Sequence, residues 1–204
     1  MKTQKTGKKE LRPSCIIVPE ARLAFPSLFK KRPRTADPAK KANEDEWAFQ
    51  AVLLLPPETN LKPFHRAMQA AMIQKWGKVV QLPASKNPIH DCSEKPETNG
   101  YEDGWYYINA ANKRPVAVVN RMSEPITDPS KIYAGCWCRV FLEAYAWKHQ
   151  LGGQGVSFSL NGVQFLRDDE RLDNAIDVGE VLEPLDATDG ADDGDDADLG
   201  DLFG

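Results

Sequence analysis

The residues best suited to ligand chemistry lie in one stretch, YAGCWCRVFLEAYAW, from Tyr133 to Trp147. If this stretch is a strand, its side chains alternate between two faces. One face, which runs from Ala134 through Cys136 and Cys138 to Ala146, is small and apolar. The other face mixes rings with charge, and its candidate binding residues are Tyr133, Trp137, Arg139, Phe141 and Tyr145. Rings interleaved with cations suit single-stranded nucleic acid, whose bases stack on rings and whose phosphates attract Lys and Arg.

A second set of candidate binding residues is basic. The segment FKKRPRTADPAKK places four cations beside a predicted strand, namely Lys30, Lys31, Arg32 and Arg34. In a chain with a basic body, such a cluster is typical of an arm that contacts phosphates. Trp105 and Tyr107, on a neighbouring predicted strand, are expected to add two stacking rings. The sequence leaves open that the cations form only a solvated loop and that the rings pack beneath a loop or a second sheet.

Metal and nucleophilic chemistry find little support in the sequence. Cys136, Cys138, His90 and Cys92 could together supply four metal ligands, but no C-x-x-C pair exists and both strand cysteines fall on the apolar face. The other histidines accompany no serine or cysteine nucleophile motif, and no GxxxxGK(S/T) phosphate loop is present. We therefore predict no metal, no cofactor and no enzymatic activity.

The elements that must position these residues are mainly strands. Besides the aromatic strand, the pattern predicts strands in SCIIVPEARLAF (broken at Pro19), WAFQAVLLLP, GWYYINA, RPVAVVN and VSFSLNGVQFL. One helix is predicted in TNLKPFHRAMQAAMIQKWG, capped by Thr59 or Asn60, with Pro63 in its first turn and Gly77 past its end. One main helix among several strands and long loops indicates a mainly β protein, either a small barrel or a sandwich with loop insertions.

The charge of the chain divides near residue 171. Residues 172–204 contain twelve acidic residues and no Lys or Arg, whereas residues 1–171 contain 26 basic and 18 acidic residues, a net charge of about +8. We predict a flexible basic N-terminus at 1–12, a folded domain at 13–176 and an acidic disordered tail at 177–204. The candidate partner-binding residues of this tail are Asp198, Asp201, Leu202 and Phe203.

The location of the protein is predicted from its apolar runs and its N-terminus. The longest apolar run, AVLLL, falls far short of the roughly 18–20 residues that span a bilayer. The basic N-terminus has no apolar stretch behind it, so it does not have the pattern of a secretory signal. We therefore expect a cytoplasmic protein without a membrane partner, whose four cysteines are reduced thiols.

Four motifs make the chain resemble a family of tailed-phage single-stranded DNA-binding proteins, first catalogued as a domain of unknown function. The motifs lie in order within about residues 14–173, and they are ARLAFPSLF, GWYYINAANKRPVAVV, ITDPSKIYAGCWCRVFLEAYAW and GVSFSLNGVQFLRDDERL. The resemblance implies an OB-fold, a five-stranded oligonucleotide/oligosaccharide-binding barrel, and a role in phage DNA replication and recombination. The acidic tail is similar to the tails of replication single-strand-binding proteins, which implies a polymerase, helicase or primase as its partner in the host cytoplasm.

We therefore expect a protein that binds single-stranded DNA without sequence preference. Three alternatives stay open at this point: an RNA-binding regulator of the cold-shock type, a small metal-dependent nuclease, and a structural phage protein whose aromatic strand is an oligomer interface. A preference for RNA in competition, Mg²⁺-dependent cleavage, and a lack of salt-sensitive DNA binding would support these alternatives in turn. The sequence does not decide whether the chain forms a homo-oligomer.

Overall fold

The chain forms seven strands and two helices in a computed structural model that describes residues 10–34, 37–150 and 153–173. The strands are β1 (Cys15–Arg32), β2 (Ala48–Leu55), β3 (Ile89–Asp91), β4 (Tyr106–Asn112), β5 (Ala117–Val119), β6 (Trp137–His149) and β7 (Gly153–Arg167). The helices are α1 (Pro38–Lys41) and α2 (Lys62–Trp76).

Five of these strands close into a barrel. β1 pairs antiparallel with β2 and with β6, β2 pairs with β4, and β6 pairs with β7. A parallel pairing of β4 with β7 closes the ring, while β3 and β5 extend it at β4 and β7. This connectivity is that of an OB-fold barrel. The predicted mainly β fold with a five-stranded OB barrel, one main helix and loop insertions is confirmed.

The interior of the barrel follows from the alternation predicted for the aromatic strand. Cys138, Val140, Leu142 and Ala144 of β6 are each at most 3% exposed, whereas the side chains between them face outward. Small and branched side chains fill a narrow barrel without leaving voids. The strand begins at Trp137 rather than at Tyr133, because the preceding residues form a turn.

The first strand differs from its predicted form. β1 is a single strand of 18 residues that runs through Pro19, where a break was predicted. Its pairing with β6 is irregular between Val18 and Ala21. Pro19 lies in that irregular stretch, where its missing N–H removes no regular ladder hydrogen bond. The prediction of a break was wrong because a local irregularity accommodates the proline.

Helix α2 matches its predicted position more closely at its end than at its start. Gly77 ends the helix in the left-handed conformation, at φ 73°. The N-cap position is Leu61 rather than Thr59 or Asn60, although the Asn60 side chain accepts a hydrogen bond from the Lys62 N–H at 3.1 Å. The helix packs against β1, β6 and β7, and its buried residues are Phe64, Ala67, Met68, Ala71 and Met72. Within the described part of the chain, no helix has the length and apolar character needed to cross a membrane.

A second cluster of buried residues lies outside the main core. It consists of Ala24, Val52, Leu54, Cys92, Tyr101 and Tyr107, with Trp105 and Leu172 packed against it. The segment between α2 and β4 supplies Cys92 and Tyr101, so this segment folds back onto the barrel. This cover explains why Leu53 and Leu54, which are neighbours on β2 and point to opposite faces, are both fully buried.

Candidate nucleic-acid interface

The barrel topology indicates where a nucleic-acid ligand would lie. OB barrels bind oligonucleotides on the outer face of their second and third strands and at the loops after the first and fourth strands. Here those two strands are β2 and β4, and the first of those loops is residues 33–47. The second cluster covers one end of this outer face. At the other end Asn109 is exposed and Gln50 is half-buried, and this end, which adjoins loop 33–47, is called the open end below.

The four predicted phosphate-binding cations adjoin the open end. Lys30, Lys31 and Arg32 are the last three residues of β1 and are exposed. The exposed Arg34 follows in the loop. The Nζ atom of Lys31 lies 5.9 Å from the ring centroid of Phe49 on β2. Phe49 packs against the main core, on the opposite face of β2 from Gln50, so this contact shows where Lys31 lies and adds no stacking ring to the open end.

Tyr107 and Trp105, predicted as stacking residues, lie in the second cluster. The Tyr107 ring is 3% exposed and stacks on His90 at a centroid distance of 4.8 Å. The Lys95 Nζ atom lies 4.7 Å from the same ring, and burial raises the pKa of Tyr107. Trp105 is half-buried, with its ring 6.1 Å from that of Trp137. This burial favours a supporting role for Tyr107, and the stacking prediction remains untested.

Tyr133 and Trp137 are held by the segment that follows β7. The Tyr133 hydroxyl donates a hydrogen bond to Asp168 Oδ1 at 2.9 Å. The Trp137 indole N–H donates to Asp169 Oδ2 at 2.6 Å, and the Trp137 side chain is 9% exposed. Residues 168–173 are called the strap below. Since the strap binds the polar atoms of both rings, it fixes their orientation at the surface of the barrel.

Two arginines at the strap lie over these rings. The guanidinium carbon of Arg167 is 4.4 Å from the centroid of the Trp137 ring, and that of Arg171 is 4.6 Å from the centroid of the Tyr133 ring. Arg171 also makes two hydrogen bonds to the Asp173 carboxylate, at 2.9 and 3.1 Å. Each ring therefore has a cation as a neighbour, although neither arginine was predicted from the sequence.

A buried arginine fastens the strap to the barrel. Arg22 of β1 is 8% exposed, and its guanidinium donates to the carbonyl oxygens of Gly135 at 3.1 Å and Glu170 at 2.8 Å. Its Nε atom also lies 3.8 Å from the Asp169 carboxylate. A buried guanidinium is stable only when its donors are satisfied. The strap is therefore part of the folded domain as far as Asp173.

The Asp169 carboxylate should make the free energy of unfolding depend on pH in the acidic range. The hydrogen bond from Trp137, followed by that from the Glu170 N–H, lowers the pKa of Asp169. A lowered native pKa gives stability that is fully present above the ordinary value of about 3.9 and is lost as pH falls through the lower native value. We expect Asp169→Asn, which keeps an acceptor but loses the charge, to be less stable at neutral pH and to lose less stability on acidification.

Urea unfolding at neutral pH and at about pH 3 measures this difference. Asp103→Asn, at an exposed carboxylate in the loop before β4, is the control and should behave as the wild type does. An Asp169→Asn variant whose stability falls with acid as steeply as that of the wild type would contradict the role assigned to this carboxylate.

Three other predicted residues lie on the outer face of β6. Arg139 is exposed, Phe141 is half-buried and Tyr145 is 39% exposed. The residues that pair with Phe141 are Gly162 on β7 and Ile17 on β1, and Ile17 is 50% exposed. The small residue on β7 leaves the Phe141 ring uncovered on that side. This face combines a cation with accessible rings, and their binding of nucleic acid stays a prediction.

The structure distributes the predicted residues over two surfaces. β1 lies between β2 and β6 in the sheet, so the outer face of β6 and the open end of the β2–β4 face lie on different sides of β1. A cavity of about 330 Å³ is lined by Arg32, Tyr133 and Arg171, and it connects the basic cluster with the strap. A second cavity, next to the β6 face, is lined by residues that include Trp137 and Ile17.

Sequence reasoning missed Phe25, which lines the same cavity as Arg32 and Tyr133. The stretch ARLAF has the pattern of an ordinary strand. A usable signal was the pair Phe25–Pro26, because a proline within a strand commonly marks a bulge or an edge. Arg22 gave no signal of this kind, since a single arginine in a strand pattern is most often exposed.

Cys136, Cys138, His90 and Cys92, the four possible metal ligands in the sequence, do not form one group. Cys136 and Cys138 lie in the main core with their sulfur atoms 3.8 Å apart, whereas Cys92 belongs to the second cluster. Burial, and then the neighbouring Asp91 carboxylate, raises the pKa of Cys92 to about 11. Among the described residues, no group of three or more His, Cys, Asp or Glu side chains is placed to hold a metal ion.

The barrel, its open end and the cations beside it define an OB-fold protein of the class whose outer surface accepts oligonucleotides. The sequence profile of the family described as Enterobacter phage Enc34, ssDNA-binding protein matches residues 14–194, and the chain belongs to this family. The predicted resemblance to phage single-stranded DNA-binding proteins is confirmed. The family is described by a binding function rather than by catalysis, in agreement with the prediction of a protein that is not an enzyme.

The chain is also similar to individual phage proteins. A putative protein, p50, of Acyrthosiphon pisum secondary endosymbiont phage 1 is 29% identical over 159 residues, which are 73% of this chain and 81% of the relative. The single-stranded DNA-binding protein from bacteriophage Enc34 in complex with ssDNA has 19% identity and a TM-score of 0.64, over 80% of this chain and 95% of that chain. Another structure of the Enc34 protein has 20% identity and a TM-score of 0.63, over 85% and 96%. At these identities the solved structures show a shared fold.

Proposed function

We propose that this protein binds single-stranded DNA without sequence preference. The observation that carries the proposal is the position of Lys30, Lys31, Arg32 and Arg34 at the open end of the β2–β4 face. OB barrels use this face for oligonucleotides, and four adjoining cations would neutralise phosphates along one strand. Family membership supports the proposal, as does the Enc34 protein of the same fold in complex with ssDNA.

The accessible rings are assigned to stacking. Phe141 and Tyr145 on the β6 face, and Tyr133 at the cavity beside the basic cluster, leave part of each ring exposed. Stacking does not depend on base identity, because every base has a π-face. Arg139 would contact phosphates on the β6 face. Trp137 is assigned to orienting the strap and the neighbouring rings, since its side chain is largely buried.

A competition titration tests the proposal. Fluorescent oligo-dT is titrated with the full chain, and unlabelled oligo-dC, oligo-rU and duplex DNA of equal length are added as competitors. The proposal predicts salt-sensitive binding and similar competition by oligo-dT and oligo-dC. A clear preference for oligo-rU would favour an RNA-binding regulator, and Mg²⁺-dependent cleavage of the probe would favour a nuclease. A chain that does not bind any of the four would favour a structural protein.

The proposal extends to phage DNA replication and recombination in the host cytoplasm, where the protein would coat and protect single strands. The acidic tail, with its predicted partner-binding residues Asp198, Asp201, Leu202 and Phe203, lies outside the described residues. We assign it to recruitment of a replication protein such as a polymerase, helicase or primase. Its charge would steer it toward a basic surface of that partner, and Leu202 and Phe203 would supply an apolar anchor.

Truncation after Pro184 is expected to tighten oligo-dT binding at low salt. A tethered polyanion competes with DNA for the basic surface at an effective concentration of the order of mM. Salt screens this competition, so the gain in affinity should shrink as salt is raised. Fluorescence titration of the truncated and full chains at low and high salt measures the effect.

Phe203→Ala separates the two roles of the tail, because it keeps every charge. This variant should bind oligo-dT as the wild type does, yet lose the partner in a pull-down. Unchanged DNA affinity of the truncated chain at every salt concentration would contradict the competition. A truncated chain that also retains the partner would reduce the tail to a solubilising segment.

A further inference from the structure

β1 contains a bulge at residues to which the proposed function assigns no role. Its pairing with β2 is interrupted between Ala24 and Ser27, where two residues of β1, Phe25 and Pro26, lie opposite one residue of β2. Phe25 has a φ of 49°, in the left-handed region. In bulges whose first residue is left-handed, that residue is normally glycine, since a side chain makes this backbone conformation costly. The fold alone therefore favours glycine at position 25.

The side chain of Phe25 contributes little to the stability of the fold. It is 61% exposed, the largest exposed fraction of any Phe, Tyr or Trp side chain in the described part of the chain. Burial of apolar area, which normally justifies a phenylalanine, is mostly absent here. A bulky residue that is held in an unfavourable backbone conformation and also exposed to water points to a function for the ring.

The surroundings of Phe25 indicate the ligand. The ring lines the cavity of about 330 Å³ together with Arg32, Asn99, Tyr133 and Arg171. This volume lies in the range of small-ligand sites. The cavity thus offers the Phe25 ring for stacking and guanidinium groups beside it. Arg171 lies over the Tyr133 ring, and the Asn99 amide nitrogen donates to the Leu172 carbonyl oxygen at 3.0 Å. Arg171 is engaged by Asp173, so the exposed Arg32, at the end of β1, is the cation assigned to a phosphate.

We propose that this cavity is a nucleobase subsite, in which the Phe25 ring stacks on one base of a single strand and Arg32 contacts a neighbouring phosphate. The inference rests on the proposed single-strand binding and adds to it a specific position. The bulge places the ring in this cavity, between Arg32 of the basic cluster and the strap. Any of the four bases fits this arrangement, because the ring contacts the π-face of the base.

Phe25→Gly tests the subsite with two opposite expectations. Loss of a stacked base should weaken oligo-dT binding by about 5- to 150-fold, which corresponds to the usual range for one stacking ring. The thermal midpoint should stay the same or rise, because relief of the left-handed backbone offsets the greater freedom of glycine in the unfolded chain. A marked fall in the thermal midpoint would assign Phe25 to the fold and overturn the proposal.

Further variants distinguish base stacking by the Phe25 ring from a contact that depends only on its apolar character. Phe25→Trp should retain affinity, and Phe25→Leu, which keeps the backbone cost but lacks a π-face, should lose most of it. Met122→Ala, at a residue that is 79% exposed in the turn after β5, is the control and should leave oligo-dT binding unchanged. If Phe25→Leu bound as tightly as the wild type, a stacking role would be excluded.

An abasic oligonucleotide of the same length completes the test as a double-mutant cycle. Since the proposed contact is with a base, the wild type and Phe25→Gly should bind the abasic strand equally. A defect of Phe25→Gly that persists on the abasic strand would overturn base stacking. If the wild type failed to bind oligo-dT, the proposed function itself would fail. If the wild type bound oligo-dT and Phe25→Gly bound it equally well, only the subsite would fail.

Discussion

Replacing Lys30, Lys31, Arg32 and Arg34 together with glutamine should make oligo-dT binding far less sensitive to salt. Each phosphate contact on a single strand contributes about 0.7 to the slope of log affinity against log salt. Four contacts therefore contribute about 2.8, or about a 50-fold change in affinity between about 50 and 200 mM salt. The variant should lose this contribution, and fluorescence titrations of both proteins over a salt series measure it.

A control variant with the same change in net charge makes the result specific to the basic cluster. Four exposed cations lie on or just after α2, away from the open end, and they are Lys62, Arg66, Lys75 and Lys78. Replacing these four with glutamine should leave most of the salt dependence intact. Equal losses in the two variants would mean that DNA responds to the net charge of the domain rather than to the surface beside loop 33–47.

Gly135→Ala is expected to cause the largest loss of stability among single substitutions at the strap. Gly135 has a φ of 116°, and a Cβ atom there would lie 2.1 Å from the carbonyl oxygen of Glu170. Neither group can easily retreat, because Arg22 donates hydrogen bonds to the carbonyls of both residues. We expect the free energy of unfolding to fall by about 2–4 kcal/mol, as measured by urea unfolding.

Gly153→Ala separates backbone strain from the clash. Gly153 also has a positive φ, 76°, but a Cβ atom there would have no neighbour within 4 Å. Only the backbone cost of about 1–2 kcal/mol should therefore appear. If the two variants lost the same stability, the strap would not be packed against the turn before β6 in the way described above.

Local patterns predicted the parts of the fold that depend on neighbouring residues in the chain. Alternation in the aromatic strand predicted the buried face of β6, because side chains on a strand have a period of two. Gly77 predicted the end of α2, since a left-handed residue ends a helix there. The OB connectivity came from the family motifs, because alternation alone does not distinguish a barrel from a sandwich.

Other features depend on contacts between distant parts of the chain, and these could not be predicted from local patterns. Alternation placed Trp137 on the outer face of β6, but it could not show that the strap covers this face at Asp169. Tyr107 is buried because the segment around Cys92 folds over β4. Phe25 is exposed because a bulge changes the direction of its side chain, and bulges are set by pairing with β2.

The salt dependence of oligo-dT binding by the full wild-type chain tests the central claim most directly. Affinity is measured by fluorescence titration across a series from about 50 to 200 mM salt and plotted as log affinity against log salt. If a basic surface on this barrel neutralises phosphates, the plot is a straight line with a slope of about −2.8 or steeper. A flat plot, or no binding at the lowest salt concentration, would contradict the claim that this protein binds single-stranded DNA through that surface.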